Sequence, residues 1–187
     1  MISDIAGGIA EGLAAPRKAM RRILSGPGGI DVILGLVVAS YLVQALAAIA
    51  VPGGRIAGDL SPLLVHLNLL ISQLVLFVVT SAAVFGIGRL FGGTGTLPQA
   101  LLTVAWYGFV TSFLAPLALI AFAPGSDAEP TAFDALLLLA VSGIGVWVLA
   151  GCVAELHGFR STGQVLAVAV GIAFGAGVLL ISLVPAP

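Results

Sequence analysis

Five stretches of the chain are apolar over about 20 residues or more. That is the length a helix rising 1.5 Å per residue needs to cross a hydrocarbon core of about 30 Å. They run over about Ile30 to Val51, Leu63 to Gly88, Pro98 to Ala123, Ala135 to Glu155 and Val165 to Val184, with short turn-forming connectors between them. The composition agrees, with 60% hydrophobic and 8% charged residues and a mean hydropathy of +1.22. Soluble domains carry roughly 25% charged residues. The expected fold is therefore all-α, a polytopic membrane protein with a bundle of five transmembrane helices in 30–187, preceded by an interfacial amphipathic helix in 1–29. The first span begins too late and runs too long for the core of a signal peptide.

Lysine and arginine placement sets the expected orientation, because cationic loops tend to stay on the cytoplasmic side. Arg17, Lys18, Arg21 and Arg22 precede the first span, Arg89 follows the second and Arg160 the fourth, so six of the seven cations share one side. The other side carries Arg55, Asp127 and Glu129. This predicts a cytoplasmic N-terminus and a C-terminus on the opposite side. The first 24 residues read as helix interrupted at Pro16, with Ile5, Ile9 and Leu13 spaced four apart. After the proline, Met20, Ile23 and Leu24 are placed to face lipid while the four cations reach phosphate headgroups, each adding about 1 kcal/mol near an anionic leaflet. The same charges also serve to set topology. A net charge of −1 gives no basic field for nucleic acid.

The turn "RLFGGTGTLPQ" is rich in glycine but lacks the lysine of a phosphate loop and the spacing of a dinucleotide fingerprint. It reads as a tight connector, with Gly92, Gly93 and Gly95 permitting positive φ, Thr96 as N-cap and Pro98 in the first turn of the next helix. No constellation for intramembrane catalysis is found. Ser142-Gly143 is preceded by Ala140 where a rhomboid-type site needs glycine, and neither Glu11 nor Glu155 has the neighbours of a metalloprotease motif. His66 and His157 are expected near opposite faces of the bilayer, the former interfacial and the latter in a loop, so they cannot share an ion. The single Cys152 excludes a disulfide within the chain. The expectation is of no enzyme, cofactor or metal.

Polar residues within spans are costly in hydrocarbon and turn inward. In the second span Asn68, Ser72, Gln73 and Thr80 form one stripe. It serves interhelical hydrogen bonds, worth about 0.6 to 2 kcal/mol each, or lines a hydrated pathway or lipid groove. Glu155, at the end of the fourth span, is expected to pair with Arg160, Arg89 or an N-terminal cation. The cations, with Glu155, are the candidate lipid- or partner-binding residues. Gly143, Gly151, Gly171 and Gly175 are candidates for close helix packing.

The segments "APRKAMRRIL", "GGTGTLPQALLTVAWY" and "WVLAGCVAELHGFRSTGQVLAVAV" resemble the Yip1-domain family of five-span membrane proteins, in its small bacterial form, over about Pro16 to Val184. The resemblance implies an integral protein of the bacterial inner membrane with a cytoplasmic N-terminus. Eukaryotic relatives bind prenylated small GTPases through a long N-terminal region. Here about 29 residues precede the first span, so that activity does not carry over, and the resemblance transfers no catalytic residue. The expected function is a non-enzymatic scaffold or adaptor organising membrane lipids, a protein partner or a homo-oligomer. The alternative is a small transporter, channel or lipid-translocating protein that uses the polar stripe.

Overall fold

The computed structural model describes residues 2–50, 62–122 and 131–171, and every element among them is helical. The helices are α1 (Ile2–Ala14), α2 (Pro16–Leu24), α3 (Ile30–Ala50), α4 (Pro62–Leu90), α5 (Leu97–Ser112), α6 (Ala115–Phe122) and α7 (Ala132–Leu156). An eighth, α8, runs over Thr162–Gly171. Arg55, Asp127, Glu129 and Gly175 lie outside the described residues.

Local chemistry sets the helix ends. At α5, Gln99 Oε1 accepts from both the backbone N–H and the hydroxyl of Thr96, each at 3.0 Å. This is the reciprocal half of a capping box. At α7, Asp134 Oδ2 accepts from Thr131 N at 2.8 Å while Asp134 N donates back to Thr131 Oγ1 at 3.2 Å. Helices α4 and α7 both end in left-handed glycines, Gly92 at φ +81° and Gly158 at φ +69°. Gly93 N donates to Gly88 O at 2.8 Å, and Phe159 N to Ala154 O at 2.8 Å. Both are the long-range bond of a Schellman turn, which satisfies carbonyls that a helix end leaves orphaned.

Helix α5 is the centre of the bundle, packed against α3, α4 and α7. Its inward residues Leu102 and Ala105 meet Ile33 and Val37 of α3, while Trp106 and Val110 meet Val148 and Cys152 of α7. Helix α2 completes this second cluster. Its Ala19 and Met20 are fully buried there, and Ile23 and Leu24 pack partly against it. The sequence placed Met20 toward lipid; the structure places it in the protein core. The reason is Gly151, whose missing side chain lets Pro16 seat directly on α7. Gly12 does the same for α1, where an added Cβ would press on Val110. Elsewhere the large apolar side chains face outward, Leu46, Leu76 and Leu139 among them. Such a surface is stable in lipid.

Three helices are long and apolar enough to cross a membrane: Ile30–Ile49, His66–Leu90 and Ala132–Leu156. The expected third span, Pro98 to Ala123, is not one straight helix. It breaks into α5 and α6, whose axes differ by 57°. Pro116 accounts for the break, since it lacks an N–H and its ring would clash with the carbonyl of Ser112. Thr111 and Ser112 also turn their hydroxyls onto the backbone, bonding Tyr107 O at 2.8 Å and Phe109 O at 2.7 Å. Such back-bonding bends helices. Counted as one bent crossing, the pair brings the candidate spans to four. The expected fifth, about 165–184, is described only as far as Gly171. The protein is an integral membrane protein.

The burial of Met20 makes a direct prediction. Met20→Ala removes a large side chain from a closed core and costs about 2–5 kcal/mol, expected as faster amide exchange over Pro16–Leu24 in lipid nanodiscs. Ile5→Ala, at an exposed site, is expected to leave that exchange unchanged.

Candidate functional site

The two Schellman ends of α4 and α7 lie side by side, and His157 joins them. Thr94 N donates to His157 O at 3.3 Å. The imidazole is 2% exposed. Its Nε2 lies 3.1 Å from Val84 O. A carbonyl only accepts, so Nε2 carries the proton in the neutral ring. Nδ1 is buried and has no hydrogen-bond partner among the described residues. The ring occupies space left by glycines, since a Cβ at Gly88 or Gly93 would overlap it and one at Gly95 would crowd it and Leu156. Phe159 stacks on its other face, with centroids 5.6 Å apart. Burial, with some help from the charge of Arg89, holds the imidazole below its usual value against the opposing pull of the Val84 carbonyl.

The acid–base cluster builds on the same end of α7. Glu155 accepts from Arg21 Nε at 2.6 Å and from Arg17 Nε at 3.2 Å. Arg17 also donates from its two terminal nitrogens to the carbonyls of Arg160, at 3.0 Å, and Phe159, at 2.9 Å. Within the N-terminal pair, Glu11 bridges Lys18 at 3.0 Å and Arg22 at 2.8 Å. The Lys18 bond holds the Glu11 carboxyl below its ordinary value. All four cations of α2 are thus ion-paired, and of the partners considered for Glu155 the structure selects the N-terminal cations. Arg160 contributes its carbonyl through Arg17.

The polar stripe of α4 is divided. Ser72, Gln73 and Thr80 face a groove of about 810 Å³ between α3 and α4, above α5. They share it with Ser40, Tyr41 and Gln44 of α3, and none of the groove's described lining residues is Lys, Arg, Asp or Glu. Asn68 does not line it; its Oδ1 accepts from Ser72 Oγ at 3.1 Å. His66 lies at the groove's edge, with Nδ1 3.3 Å from the Tyr41 hydroxyl. No group of three or more His, Cys, Asp or Glu suited to a metal occurs among the described residues. Of the packing glycines, Gly151 meets Pro16, whereas a Cβ at Gly143 or Gly171 would meet nothing within 4 Å.

A family model, the Yip1 domain, matches residues 12–184. The chain belongs to the Yip1-domain family. No curated protein and no solved structure matches it. The match begins within α1, so this Yip1 domain includes α2 and its contacts with α7. Sequence reasoning missed the role of His157. The glycines at 88, 93 and 95 were visible, but nothing in the sequence says that a side chain some 64 residues beyond Gly93 would fill the space they leave.

Substitution of those glycines tests the fit. Gly88→Ala and Gly93→Ala should each destabilise the protein by about 1–3 kcal/mol through overpacking. Gly86→Ala, where a Cβ meets nothing within 4 Å, should be neutral or stabilising by up to about 1 kcal/mol. Thermal unfolding in detergent gives the comparison.

Proposed function

We propose that this Yip1-domain protein is a non-enzymatic membrane scaffold or adaptor, with five spans, a cytoplasmic N-terminus and a bacterial inner membrane as its setting. Its working surface is the polar end of the bundle, where the docked α1–α2 pair offers cations to anionic lipid headgroups or to a partner protein. The observation that carries this reading is the charge balance at that end. Four cations of α2 are tied to two acids, Glu11 and Glu155. Counting Arg89 and Arg160 with them, and Asp4 and Asp31 with the acids, six cations stand against four acids at that end, and the side chains of Lys18 and Arg21 remain 79% and 71% exposed. Arg89 and Arg160 lie exposed beside them. The ion pairs set the register of the docked helix and the excess charge faces outward.

The test is a double variant, Lys18→Gln with Arg160→Gln. It keeps the Arg22–Glu11 pair and both arginines on Glu155, so the docked helix is retained. Removing two interfacial cations at about 1 kcal/mol each should lower the recovery of a stoichiometric protein partner or of anionic lipid about 30-fold. The readout is mass spectrometry of the protein extracted in polymer nanodiscs. Equal recovery from wild type and variant would sink the reading.

The groove supports a second reading, a small transporter or lipid-handling protein. Here Gln73→Cys should react with an aqueous thiol reagent over the background of Cys152, which is buried. A thiol at position 73 that stays unreactive rules out a hydrated path.

A further inference from the structure

We infer that His157 is a proton-operated latch: taking up a proton releases the C-terminal end of α7 from the α4–α5 turn and with it loosens the docking of the N-terminal helices. The inference goes beyond the scaffold reading and does not depend on it.

The ring's two nitrogens differ in their surroundings. Nε2 donates to Val84 O, and Nδ1 is bare and enclosed. A proton on Nδ1 would put a second N–H, and a charge, against Gly93 and the turn that follows it. The wall there includes Gly93 and Gly95, which leave room for the ring but offer it no side-chain acceptor, and a buried donor left without an acceptor is costly, more so when charged. The imidazolium therefore fits the cradle worse than the imidazole does and is better accommodated in water.

The charged groups around the ring reinforce this. From α4 it faces Arg89, a cation, which disfavours a second positive charge. The turn from Phe91 to Thr96 carries no titratable side chain. From its own helix the nearby carboxylate is Glu155, already held by Arg17 and Arg21 of α2. From the segment after α7 come the Phe159 ring and Arg160. Every charged partner is either a cation or a carboxylate already engaged.

Release is then transmitted by covalent continuity. The carbonyls of Phe159 and Arg160, two and three residues beyond His157, are acceptors for Arg17. The His157 carbonyl accepts from Thr94. A ring leaving the cradle displaces these acceptors, so the α2 contacts and the glycine turn loosen together. Because the docked ring takes up a proton less readily than the released one, the latch is intact above the usual imidazole value of about 6.5 and weakens as pH falls below it.

The chain has two histidines, so His66→Gln leaves His157 as the sole imidazole. The full-length variant, isotope-labelled at histidine and placed in nanodiscs, is titrated by NMR from about pH 8 to 5, with amide exchange followed over Pro16–Leu24 and residues 88–96. The expected result is a neutral ring protonated at Nε2 that titrates below 6.5. Opening in both segments, read as amide exchange divided by the intrinsic rate at each pH, should rise on the same acid limb, by about tenfold for each pH unit between the docked and released values. In His157→Gln, whose amide can still donate to Val84 O, that opening should be flat with pH. An ordinary imidazole titration, opening that does not follow it, or an unchanged acid limb in His157→Gln each overturns the latch. Should the glutamine variant fail to fold, the direct titration decides alone.

Discussion

A neutral imidazole filling the space of absent side chains is the contact on which the polar end of this bundle depends. Helices α4 and α7 both present their C-terminal carbonyls at that end, and two such ends side by side leave orphan acceptors to be satisfied. Left-handed turns at Gly92 and Gly158 satisfy the carbonyls within each chain end. His157 then closes the gap between them, with its ring on Val84 O and its carbonyl on Thr94 N. Helix α5 leaves directly from the clamped turn, so its direction through the core follows from that contact.

The same end of α7 organises the charges. Glu155 is held in place by the helix that His157 fixes, and it draws Arg17 and Arg21 onto the bundle. Partly exposed ion pairs are weak individually, at about 0–1 kcal/mol. They would not dock a nine-residue helix alone. Burial of Ala19 and Met20 and the seating of Pro16 on Gly151 supply the larger apolar term, and the arginines set the register. In this arrangement the N-terminal segment is an integral part of the membrane domain, in keeping with a family match that begins inside α1.

At membrane depth the physical problem differs. Pro116 and the back-bonded hydroxyls of Thr111 and Ser112 divide the third apolar stretch, and Thr111 and Ser112 face the groove that α3 and α4 also line. Polar groups of three helices are gathered there.

Several features were legible in the residues alone. Long apolar stretches, Thr96 before Pro98, Gly92 at a helix end and six cations on one side each rest on local rules: span length, capping, positive φ and charge placement. Composition and spacing suffice for such rules, because each involves residues a few positions apart. Pro116 was equally visible, but whether a proline bends a span or ends it depends on what packs around it. Three further matters were decided only in three dimensions: that Met20 turns to protein and not lipid, that Arg17 and Arg21 choose Glu155, and that His157 occupies the place of missing Cβ atoms at Gly88 and Gly93. Each joins residues more than 60 positions apart, and in a chain so rich in small and apolar residues many such pairings are compatible with the same pattern. Packing selects among them, because close contact discriminates shapes that hydrophobicity alone treats as equal.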